Sequence, residues 1–350
     1  MEYRSLGNSG LSVSLLGFGN HGACYETLRG GKDIITPELE DTYFNYTKIC
    51  IDSGMTFLDT SEFYGFGVAE MLLGRILKRG AWDRDELVIS TKLWPAMRGI
   101  IQGVCKKRIR YGIRDSLKRL DLDFVDILYV HRPDYETPVL EYVKAMNEAI
   151  DNEQTLYWGT STFSPRELQE IFYVCEKYGY APPITDQCNY CMLTREDVEV
   201  NLAPIFDRYG FKVSVWSPLA RGILTGKYND GNIPSEAKLA KNGWMKCEYD
   251  AWIGNRPDKG VGLLRGLKAL ADELGCTQSQ LAIAWALKNP DVSIGIFGVS
   301  GENQLIENLE ALPIMKKLDN VVLERIEKIL NNRPTPPLNW RNFTPRNYRR

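Results

Sequence analysis

Short apolar runs alternate with longer segments of helical periodicity along the whole chain, and this alternation constrains the fold more than any other feature. The runs are apolar almost throughout, as is typical of parallel strands buried on both faces. Because helical segments separate them, the eight runs predict an α/β fold whose core is a (β/α)8 TIM barrel. The predicted strands are Val13–Gly19, Thr56–Thr60, Leu87–Lys92, Phe124–Val130, Leu156–Ser161, Ile184–Tyr190, Lys212–Pro218 and Val292–Ser300.

Several helix boundaries carry recognisable capping sequences. Thr36 precedes a proline at the first helical position, and Gly54 ends that predicted helix. Ser164–Glu167 repeats the device, with glutamate at the capping-box position. The amphipathic segment Thr277–Lys288 stops at an Asn-Pro pair. These signals support helical crossovers between the strands.

The 350 residues contain no linker, so we predict one barrel domain, residues 1–332, and a tail, residues 333–350. A hairpin at Tyr3–Ser12, turning at Gly7-Asn8, is expected to cover the barrel floor. The long polar segment Ala220–Lys259 is expected on the active-site face, where loops follow the strands. The tail has five arginines, four prolines and no acid, which favours a poorly ordered or surface-docked segment. A basic docking element is the alternative.

The charge balance excludes two classes of partner. The chain has 45 acidic and 43 basic side chains, a net charge of −2, so nothing favours nucleic acid or an anionic membrane. No apolar run approaches the length of a membrane span, and the start, MEYRSLGNSG, lacks the apolar core of a signal peptide. We therefore expect a cytoplasmic protein without membrane insertion.

The eight cysteines are scattered and lie mostly in apolar segments, which indicates reduced thiols rather than a disulfide framework. Cys188 and Cys191 form a C-x-x-C motif. A thioredoxin-like motif opens a helix, whereas this one follows a strand-like run, and no second C-x-x-C completes a zinc site. A redox or zinc role is the minor alternative, and we predict no metal site.

The pattern G-x-G-x-x-G over residues 17–22 imitates a dinucleotide-binding fingerprint. It follows a strand, and an acidic residue, Glu38, stands about twenty positions further on. A Rossmann helix must begin inside the motif, whereas two further glycines and Pro37 intervene here before any helix. The glycines are better explained by a turn at the top of the first strand, and a Rossmann fold is the minor alternative.

Four polar side chains stand at or just after consecutive strand ends. Asp59 ends the second strand, Lys92 ends the third, His131 follows the fourth, and Tyr64 lies in the loop after the second. Singly, each has a structural explanation, although a lysine ending an apolar strand must be paired or reach water. In a barrel the carboxyl ends of the strands converge on one face, so the joint arrangement predicts a catalytic cluster.

The chemistry of such a cluster is coherent. A tyrosine with an ordinary pKa of about 10 is a poor acid, and a nearby lysine ammonium lowers that pKa. Asp59 would hold the lysine, and His131 would orient a substrate oxygen. The set has no activated nucleophile and no metal-ligand group. It suits protonation of a carbonyl oxygen while hydride arrives at carbon, which needs a nicotinamide cofactor.

These sequences resemble the aldo-keto reductase superfamily over nearly the whole chain. The superfamily's catalytic tetrad falls on Asp59, Tyr64, Lys92 and His131. The resemblance implies an NADPH-dependent oxidoreductase that transfers hydride to a small aldehyde or ketone, with Tyr64 as the general acid. The motifs that carry it are FLDTSEFYG (57–65), RLDLDFVDILYVHRPD (119–134), WGTS (158–161), WSPLARGILTGKY (216–228) and GVSGENQLIENL (298–309).

The resemblance also implies that NADP(H) lies extended across the barrel top. Ser161 and Gln187 would bind the carboxamide, with Asn189 a weaker candidate. The helix start at Ser300–Glu302 would favour a 2′-phosphate, which Lys238 would also contact. The cofactor residues implied are Gly19, Asn20, Ser161, Gln187, Trp216, Ser217, Pro218, Leu219, Ala220, Gly222, Leu224, Lys227, Lys238, Gly298, Ser300, Gln304, Glu307 and Asn308.

Within the superfamily the chain resembles the voltage-gated potassium channel β-subunit-like branch, through DQCNYCMLTREDVEV (186–200) and GCTQSQLAIAWALKN (275–289). That resemblance implies an alternative function, a cytosolic redox-sensing partner of a channel α-subunit, and a four-fold ring of identical chains. Animal channel β-subunits carry Asn in place of His131 and a basic residue in place of Thr162. These departures favour a working reductase, and an inactive scaffold is the least supported alternative.

The substrate pocket is expected to involve Tyr25, Trp94 and the segment Lys227–Trp252. Aromatic walls favour carbonyls with apolar parts, such as aldehydes, quinones or dicarbonyls. Apolar pockets discriminate poorly among such molecules, so the sequence does not name one.

Overall fold

Eight parallel strands close into a barrel in chain order, and the last strand pairs with the first. The structure is a computed structural model, and it describes residues 1–23, 35–96, 102–235, 237–241, 243–255 and 257–337. The barrel strands are β3 (Leu16–Gly19), β4 (Phe57–Asp59), β5 (Val88–Leu93), β6 (Val125–Val130), β7 (Thr155–Thr160), β8 (Thr185–Asn189), β9 (Lys212–Trp216) and β10 (Val292–Phe297). The predicted (β/α)8 barrel is confirmed.

Helices surround the barrel and connect its strands. The described α-helices are α1 (Pro37–Asp52), α2 (Val68–Gly80), α3 (Lys106–Leu120), α4 (Val139–Asp151), α5 (Pro165–Tyr178), α6 (Ala203–Tyr209), α7 (Lys238–Lys241), α8 (Gly243–Tyr249), α9 (Pro257–Glu273), α10 (Gln278–Lys288), α11 (Glu302–Leu309), α12 (Leu312–Met315) and α13 (Asn320–Leu330). Short 3₁₀ turns cover Asn20–Gly22, Tyr64–Gly67, Arg84–Glu86 and Ala220–Thr225, and single π turns cover Asp197–Asn201 and Asp250–Gly254.

The capping sequences act as predicted. The Thr36 hydroxyl accepts the Leu39 N–H at the start of α1. Ser164 and Thr277 each form a complete capping box, at α5 and α10. Each cap satisfies donors that the first helical turn leaves unpaired, which is why these helices begin where the sequence indicates.

The predicted N-terminal hairpin is present, but its bounds were wrong. Strand β1 (Tyr3–Ser5) pairs antiparallel with β2 (Ser12–Ser14), so the hairpin takes the first residues of the run predicted as one strand, Val13–Gly19. The chain changes partners at Leu15, whose N–H donates to the Glu2 carbonyl and whose own carbonyl accepts from β10. The whole run is buried, so its apolar character concealed the break.

The hairpin covers the end of the barrel where the strands begin. The Asn8 N–H donates to the Ile184 carbonyl, and Arg4 donates to the Val292 carbonyl. Leu6 and Val13 join the interior side chains of the strands in one buried cluster. With this end closed, the opposite end, at the strand carboxyl termini, is left for a site.

The Rossmann alternative is wrong. The glycine pattern after β3 leads into a 3₁₀ turn, Asn20–Gly22, and the first described helix after it begins at Pro37. A Cβ on Gly298 would come within 2.8 Å of the Gly19 carbonyl oxygen, so glycine at Gly298 permits a close approach of two barrel loops.

Two segments, residues 220–259 and 333–350, lie outside the alternation of strands and helices, and the structure describes more of the first than of the second. The segment after β9 contains the 3₁₀ turn Ala220–Thr225, then α7 and α8, so it is largely helical. Of the tail, residues 333–337 are described, and Arg333 pairs there with Glu324 and Glu327 on α13. The predictions for residues 338–350 lie outside the described residues.

Candidate active site

Lys92 lies at the centre of a polar cluster at the carboxyl end of the barrel. Its side chain is fully buried, and its Nζ lies 2.5 Å from Oδ2 of Asp59 and 2.8 Å from the Thr60 carbonyl oxygen. Burial lowers the pKa of the Lys92 ammonium, whereas Asp59 acts in the opposite direction. Ser90 Oγ donates to the other oxygen of Asp59, which fixes the carboxylate. The pair therefore holds a cation inside the barrel.

The third donor contact of Lys92 reaches Tyr64. Nζ lies 3.2 Å from the phenolic oxygen and 4.8 Å from the centre of the ring. Tyr64 begins a turn in which the two following residues, Gly65 and Phe66, adopt left-handed backbone conformations. This geometry presents the half-buried phenol above the lysine. An ammonium at this position stabilises a phenolate and thereby assists loss of the phenolic proton.

His131 follows β6 and is also buried, with an exposed fraction of 4%. Its ring lies edge-on to that of Tyr64, with centroids 5.8 Å apart, and Nδ1 lies 3.0 Å from the Ser61 hydroxyl. Burial holds the pKa of His131 well below its ordinary value, and the charges of Lys92 and Arg132 act in the same direction. The imidazole is therefore neutral at pH 7, with one ring nitrogen available as a donor.

The four residues predicted as a catalytic set thus come together on one face. Their order along the barrel follows from the parallel register, in which Asp59 of β4 lies opposite Ser90 of β5. Lys92 then projects two residues further along the same side of β5, as the two-residue period of a strand requires. Sequence distance plays no part in this convergence, because every strand ends at the same rim.

A buried ion pair supports the loop that carries Tyr64. Glu62 accepts the Trp94 N–H at 2.6 Å and pairs with the guanidinium of Arg108 on α3. Phe63 stacks on the Trp94 ring with centroids 4.2 Å apart, and that ring lies edge-on to His131 at 4.9 Å. Trp94 therefore lies as an aromatic wall beside the cluster. Tyr25, the other predicted wall residue, lies outside the described residues.

The predicted carboxamide-binding residues lie beside the cluster. The Ser161 hydroxyl donates to the backbone carbonyl oxygen of Gln187 at 2.8 Å. The side-chain amide of Gln187 donates to the Asp59 carboxylate at 3.1 Å. Asn189 ends β8, and its side-chain oxygen is a buried atom without a partner among the described residues. These side chains connect the cofactor region predicted for β7 and β8 directly to the Asp59–Lys92 pair.

Behind them lies a buried carboxylate that the sequence did not single out. Asp186 accepts hydrogen bonds from the Thr160 hydroxyl and from the N–H groups of Thr162 and Phe163. Thr162 has a φ of 63°, a left-handed conformation that a β-branched residue rarely adopts. Burial raises the pKa of Asp186 to about 6. The carboxylate holds the turn that positions Ser161.

The segment after β9 has an unusual backbone. Ser217, Ala220, Arg221 and Gly222 all have positive φ, between 47° and 99°. Trp216 ends the strand with a buried indole N–H that has no partner among the described residues, under the guanidinium of Arg221. Within this turn the N–H groups of Ala220 and Gly222 donate to the carbonyls of Ser217 and Leu219, so the left-handed residues fold the chain tightly after β9.

The other residues that are predicted to contact the cofactor on this side of the barrel lie in the segment after β9. Pro218, Leu219 and Leu224 lie in or beside the turn Ala220–Thr225, and Lys227 after it is exposed. Leu224 is fully buried, and its N–H donates to the Leu219 carbonyl. Lys238 begins α7, and its side chain lies outside what the structure describes.

On the β10 side, Gly298 and Ser300 follow the strand, and both Ser300 N–H and hydroxyl contact Gln304. The predicted adenosine residues Gln304, Glu307 and Asn308 are carried by α11. Glu307 accepts the Thr277 hydroxyl at 2.6 Å, and Asn308 is buried. Gly19 and Asn20 lie opposite, at the top of β3, where Asn20 donates to the Ala69 carbonyl.

The alternatives for other sites find little support in the described residues. Cys188 and Cys191 are buried free thiols, and burial raises the pKa of both. A buried thiol that resists ionisation is a poor nucleophile and redox centre. Within the described ranges no group of three or more His, Cys, Asp or Glu side chains could hold a metal ion. None of the described helices is long and apolar enough to cross a membrane.

Sequence reasoning missed Ser61 and Arg132, although both lie within quoted motifs. Ser61 lies two positions after Asp59, and Arg132 directly follows His131. Residues that follow strand ends in a barrel reach the same rim as the strands themselves, so adjacency to the tetrad was the available signal. Asp186, next to Gln187, could have been found in the same way.

The fold and the position of the polar cluster define a (β/α)8 barrel with its candidate site at the strand carboxyl ends. A model of the Aldo/keto reductase family matches residues 37–331, and the chain belongs to that family. A relative from Arabidopsis thaliana, named probable voltage-gated potassium channel subunit beta, is 38% identical over 342 residues, which cover 97% of this chain and all of the relative. A relative of the same name from Oryza sativa subsp. japonica is 38% identical over 335 residues, covering 95% of this chain and 98% of the relative.

Proposed function

We propose that this protein is an NADPH-dependent reductase of aldehydes or ketones, in which Tyr64 is the general acid and Lys92, Asp59 and His131 assist it. The contact between Lys92 Nζ and the Tyr64 hydroxyl, at 3.2 Å, is the observation that carries the proposal. Membership of the Aldo/keto reductase family supports the same class of chemistry.

The roles follow from charge and position. Tyr64 gives its proton to the carbonyl oxygen as that oxygen gains negative charge, and the ammonium of Lys92 stabilises the resulting phenolate. Asp59 keeps the ammonium in place inside the barrel, because a buried cation without a partner is costly. Neutral His131 donates from its outer nitrogen to the same oxygen and orients the carbonyl.

The residues around the cluster fit a nicotinamide cofactor. Ser161 and Gln187, with Asn189 as the weaker candidate, offer a hydroxyl and amides for a carboxamide. The Asn189 oxygen and the Trp216 indole N–H are buried without partners among the described residues. Buried polar atoms of this kind are normally satisfied, so their state favours a ligand that supplies the missing bonds. When bound, the cofactor supplies hydride to the carbonyl carbon. By resemblance to the family, the turn after Trp216 would hold its pyrophosphate, and the start of α11 with Lys238 favours NADPH over NADH.

A second candidate function rests on the names of the relatives. Two plant proteins that align along almost their whole length are named as probable channel β-subunits. A channel-bound role for this chain would use the same cofactor site as a redox sensor, in the cytoplasm and in a ring of four copies. We further propose that residues 1–332 form one domain and that the arginine-rich tail is a separate segment. His131 favours turnover as the primary activity, because it completes the proton-donating set.

The test follows NADPH absorbance with a panel of aldehydes and ketones, comparing the wild-type protein with Tyr64→Phe. We expect the variant to lose roughly a hundredfold or more in kcat, a loss typical of general acid catalysis. Tyr173→Phe is the matched control, because that tyrosine is exposed on α5 and far along the chain from the cluster.

Calorimetric titration with NADPH distinguishes the two candidates. Tight binding by both proteins, with turnover only in the wild type, supports the reductase. Tight binding with negligible wild-type turnover on every carbonyl would overturn the reductase and leave the channel partner as the leading function. Size measurement of the purified protein by light scattering then tests the proposed ring of four.

A further inference from the structure

Arg132 lies at the rim of the candidate active site and forms no salt bridge with any described residue. The other arginines beside the Tyr64 loop are paired: Arg108 and Arg119 both contact Glu62. Arg132, in contrast, has no carboxylate oxygen within 4 Å in the part of the chain that the structure describes. Asp186, a nearby acid, already accepts three hydrogen bonds from the turn after β7.

The position of the guanidinium is fixed by one of its nitrogens. Nη1 donates to the His131 carbonyl oxygen at 2.5 Å and to the Ser161 hydroxyl at 3.0 Å. The guanidinium carbon lies 5.6 Å from the centre of the Trp94 ring. The side chain is therefore held between the aromatic wall of the pocket and the predicted carboxamide site.

The other edge of the guanidinium has no hydrogen-bond partner among the described residues. Nε and Nη2 form the side-on fork of an arginine, which matches the two oxygens of a carboxylate. The group is only half-buried, so a substrate can approach it. Burial lowers the pKa of this guanidinium, and the charges of Tyr64 and Asp186 oppose that shift, so the cation lies near the phenol and the buried carboxyl group.

From this geometry we infer that Arg132 binds a carboxylate on the substrate, so that the enzyme prefers carbonyl acids over neutral carbonyls. The inference rests on the proposed reductase function and narrows its substrate class. A carboxylate on the Nε–Nη2 fork would lie beside the Trp94 ring, which contacts His131. A planar spacer between carboxylate and carbonyl fits an aromatic wall of this kind.

The test uses two aldehydes that differ only in charge, 4-carboxybenzaldehyde and its methyl ester, methyl 4-formylbenzoate. We expect the wild type to reduce the acid with a kcat/KM about ten- to a hundredfold above that of the ester, the range expected for a charge-assisted bidentate hydrogen bond. In Arg132→Met this preference should fall to about one, mainly through KM for the acid. Arg132→Lys should keep part of it, because the charge remains and the fork is lost.

The ratio of the two substrates separates binding of the anion from a purely structural role. If Arg132 only positions Ser161 and His131, its replacement lowers both activities together and leaves the ratio unchanged, which overturns the inference. A wild-type ratio of one overturns it as well, while turnover of both aldehydes leaves the reductase proposal standing. Arg114→Met, on the exposed face of α3, is the control and should keep the wild-type ratio.

Calorimetric titration with 4-(hydroxymethyl)benzoate, in the presence of NADP⁺, reads the same site without turnover. We expect binding by the wild type and binding weaker by about tenfold or more in Arg132→Met. Equal binding by both proteins overturns the inference. If neither aldehyde is reduced, the reductase proposal fails, and this titration alone then decides whether Arg132 is an anion site.

Discussion

Lys92 and Asp59 form an ion pair inside the barrel, with Nζ 2.5 Å from Oδ2 and exposed fractions of 0% and 3% for the two side chains. Such a pair gains little stability over apolar residues of the same volume, but loss of one member leaves a buried charge without compensation. The pair is therefore better explained by a role in proton transfer than by stability, because it places a cation 3.2 Å from the Tyr64 hydroxyl.

Lys92→Met should reduce the free energy of unfolding by about 3 to 5 kcal/mol, because Asp59 then remains buried with only neutral hydrogen-bond donors. The double variant Asp59→Asn/Lys92→Met should recover most of that loss while staying inactive in carbonyl reduction. Urea denaturation at pH 7 measures both. A single variant as stable as the double variant would contradict the buried-charge explanation.

Ser61→Ala should lower kcat by about tenfold, the equivalent of one hydrogen bond. The Ser61 hydroxyl lies 3.0 Å from Nδ1 of His131 and 3.2 Å from the Lys92 carbonyl oxygen, which also accepts the Glu62 N–H. We expect the hydroxyl to donate along the shorter contact, to Nδ1, which leaves the ring proton on the outer nitrogen. Without that donor the neutral ring divides between its two tautomers. Ser61 is thus a positioning residue.

Nitrogen-15 NMR of the imidazole, together with steady-state kinetics, checks the Ser61 prediction. The chemical shifts should move toward a tautomer mixture in Ser61→Ala, and KM for NADPH should change little. Ser53→Ala, at the exposed end of α1, provides the comparison. Unchanged nitrogen shifts with an unchanged kcat would show that the ring proton is set by other contacts.

The buried carboxyl of Asp186 predicts a pH dependence of stability. Because its pKa is raised from 3.8 to about 6, the folded protein binds more protons than the unfolded chain between these values. The free energy of unfolding therefore falls as pH rises from about 4 to 6, by up to about 3 kcal/mol from this group. Stability from this group is present below pH 4 and lost above pH 6.

Asp186→Asn should flatten that part of the profile, as measured by urea denaturation from pH 4 to 8. Asp151→Asn, an exposed residue at the end of α4, should leave the profile as it is in the wild type. A slope that is the same in wild type and Asp186→Asn would show that the carboxyl ionises at its ordinary pKa.

Two helical glycines give a matched test of packing. A Cβ on Gly74, in α2, would lie 2.4 Å from the Leu120 carbonyl oxygen, whereas a Cβ on Gly262, in α9, would meet nothing within 4 Å. Gly74→Ala should destabilise the protein by about 1 to 3 kcal/mol, and Gly262→Ala should stabilise it by up to about 1 kcal/mol. Thermal and urea unfolding of both variants measure the difference, and a stabilised Gly74→Ala would contradict the close approach of α2 to the end of α3.

The sequence predicted what depends on local pattern. Apolar runs indicated the strands, because a strand buried on both faces needs apolar side chains along its length. Capping residues indicated several helix starts, because the first N–H groups of a helix need an acceptor from a nearby side chain. The division of the run Val13–Gly19 between hairpin and barrel escaped prediction, since both parts are buried and the pattern of apolar residues does not change where the chain changes partners.

By itself the sequence determined the fold class and the identity of Asp59, Tyr64, Lys92 and His131 as candidates, because residues that end parallel strands share one rim in any closed barrel. Only the tertiary structure decided their partners. Asp186 supports the turn before Phe163, and one edge of Arg132 faces no protein acceptor among the described residues. Both findings depend on distances between side chains that come from different strands. Such distances follow from packing and strand register across the closed sheet, and no local sequence pattern encodes them.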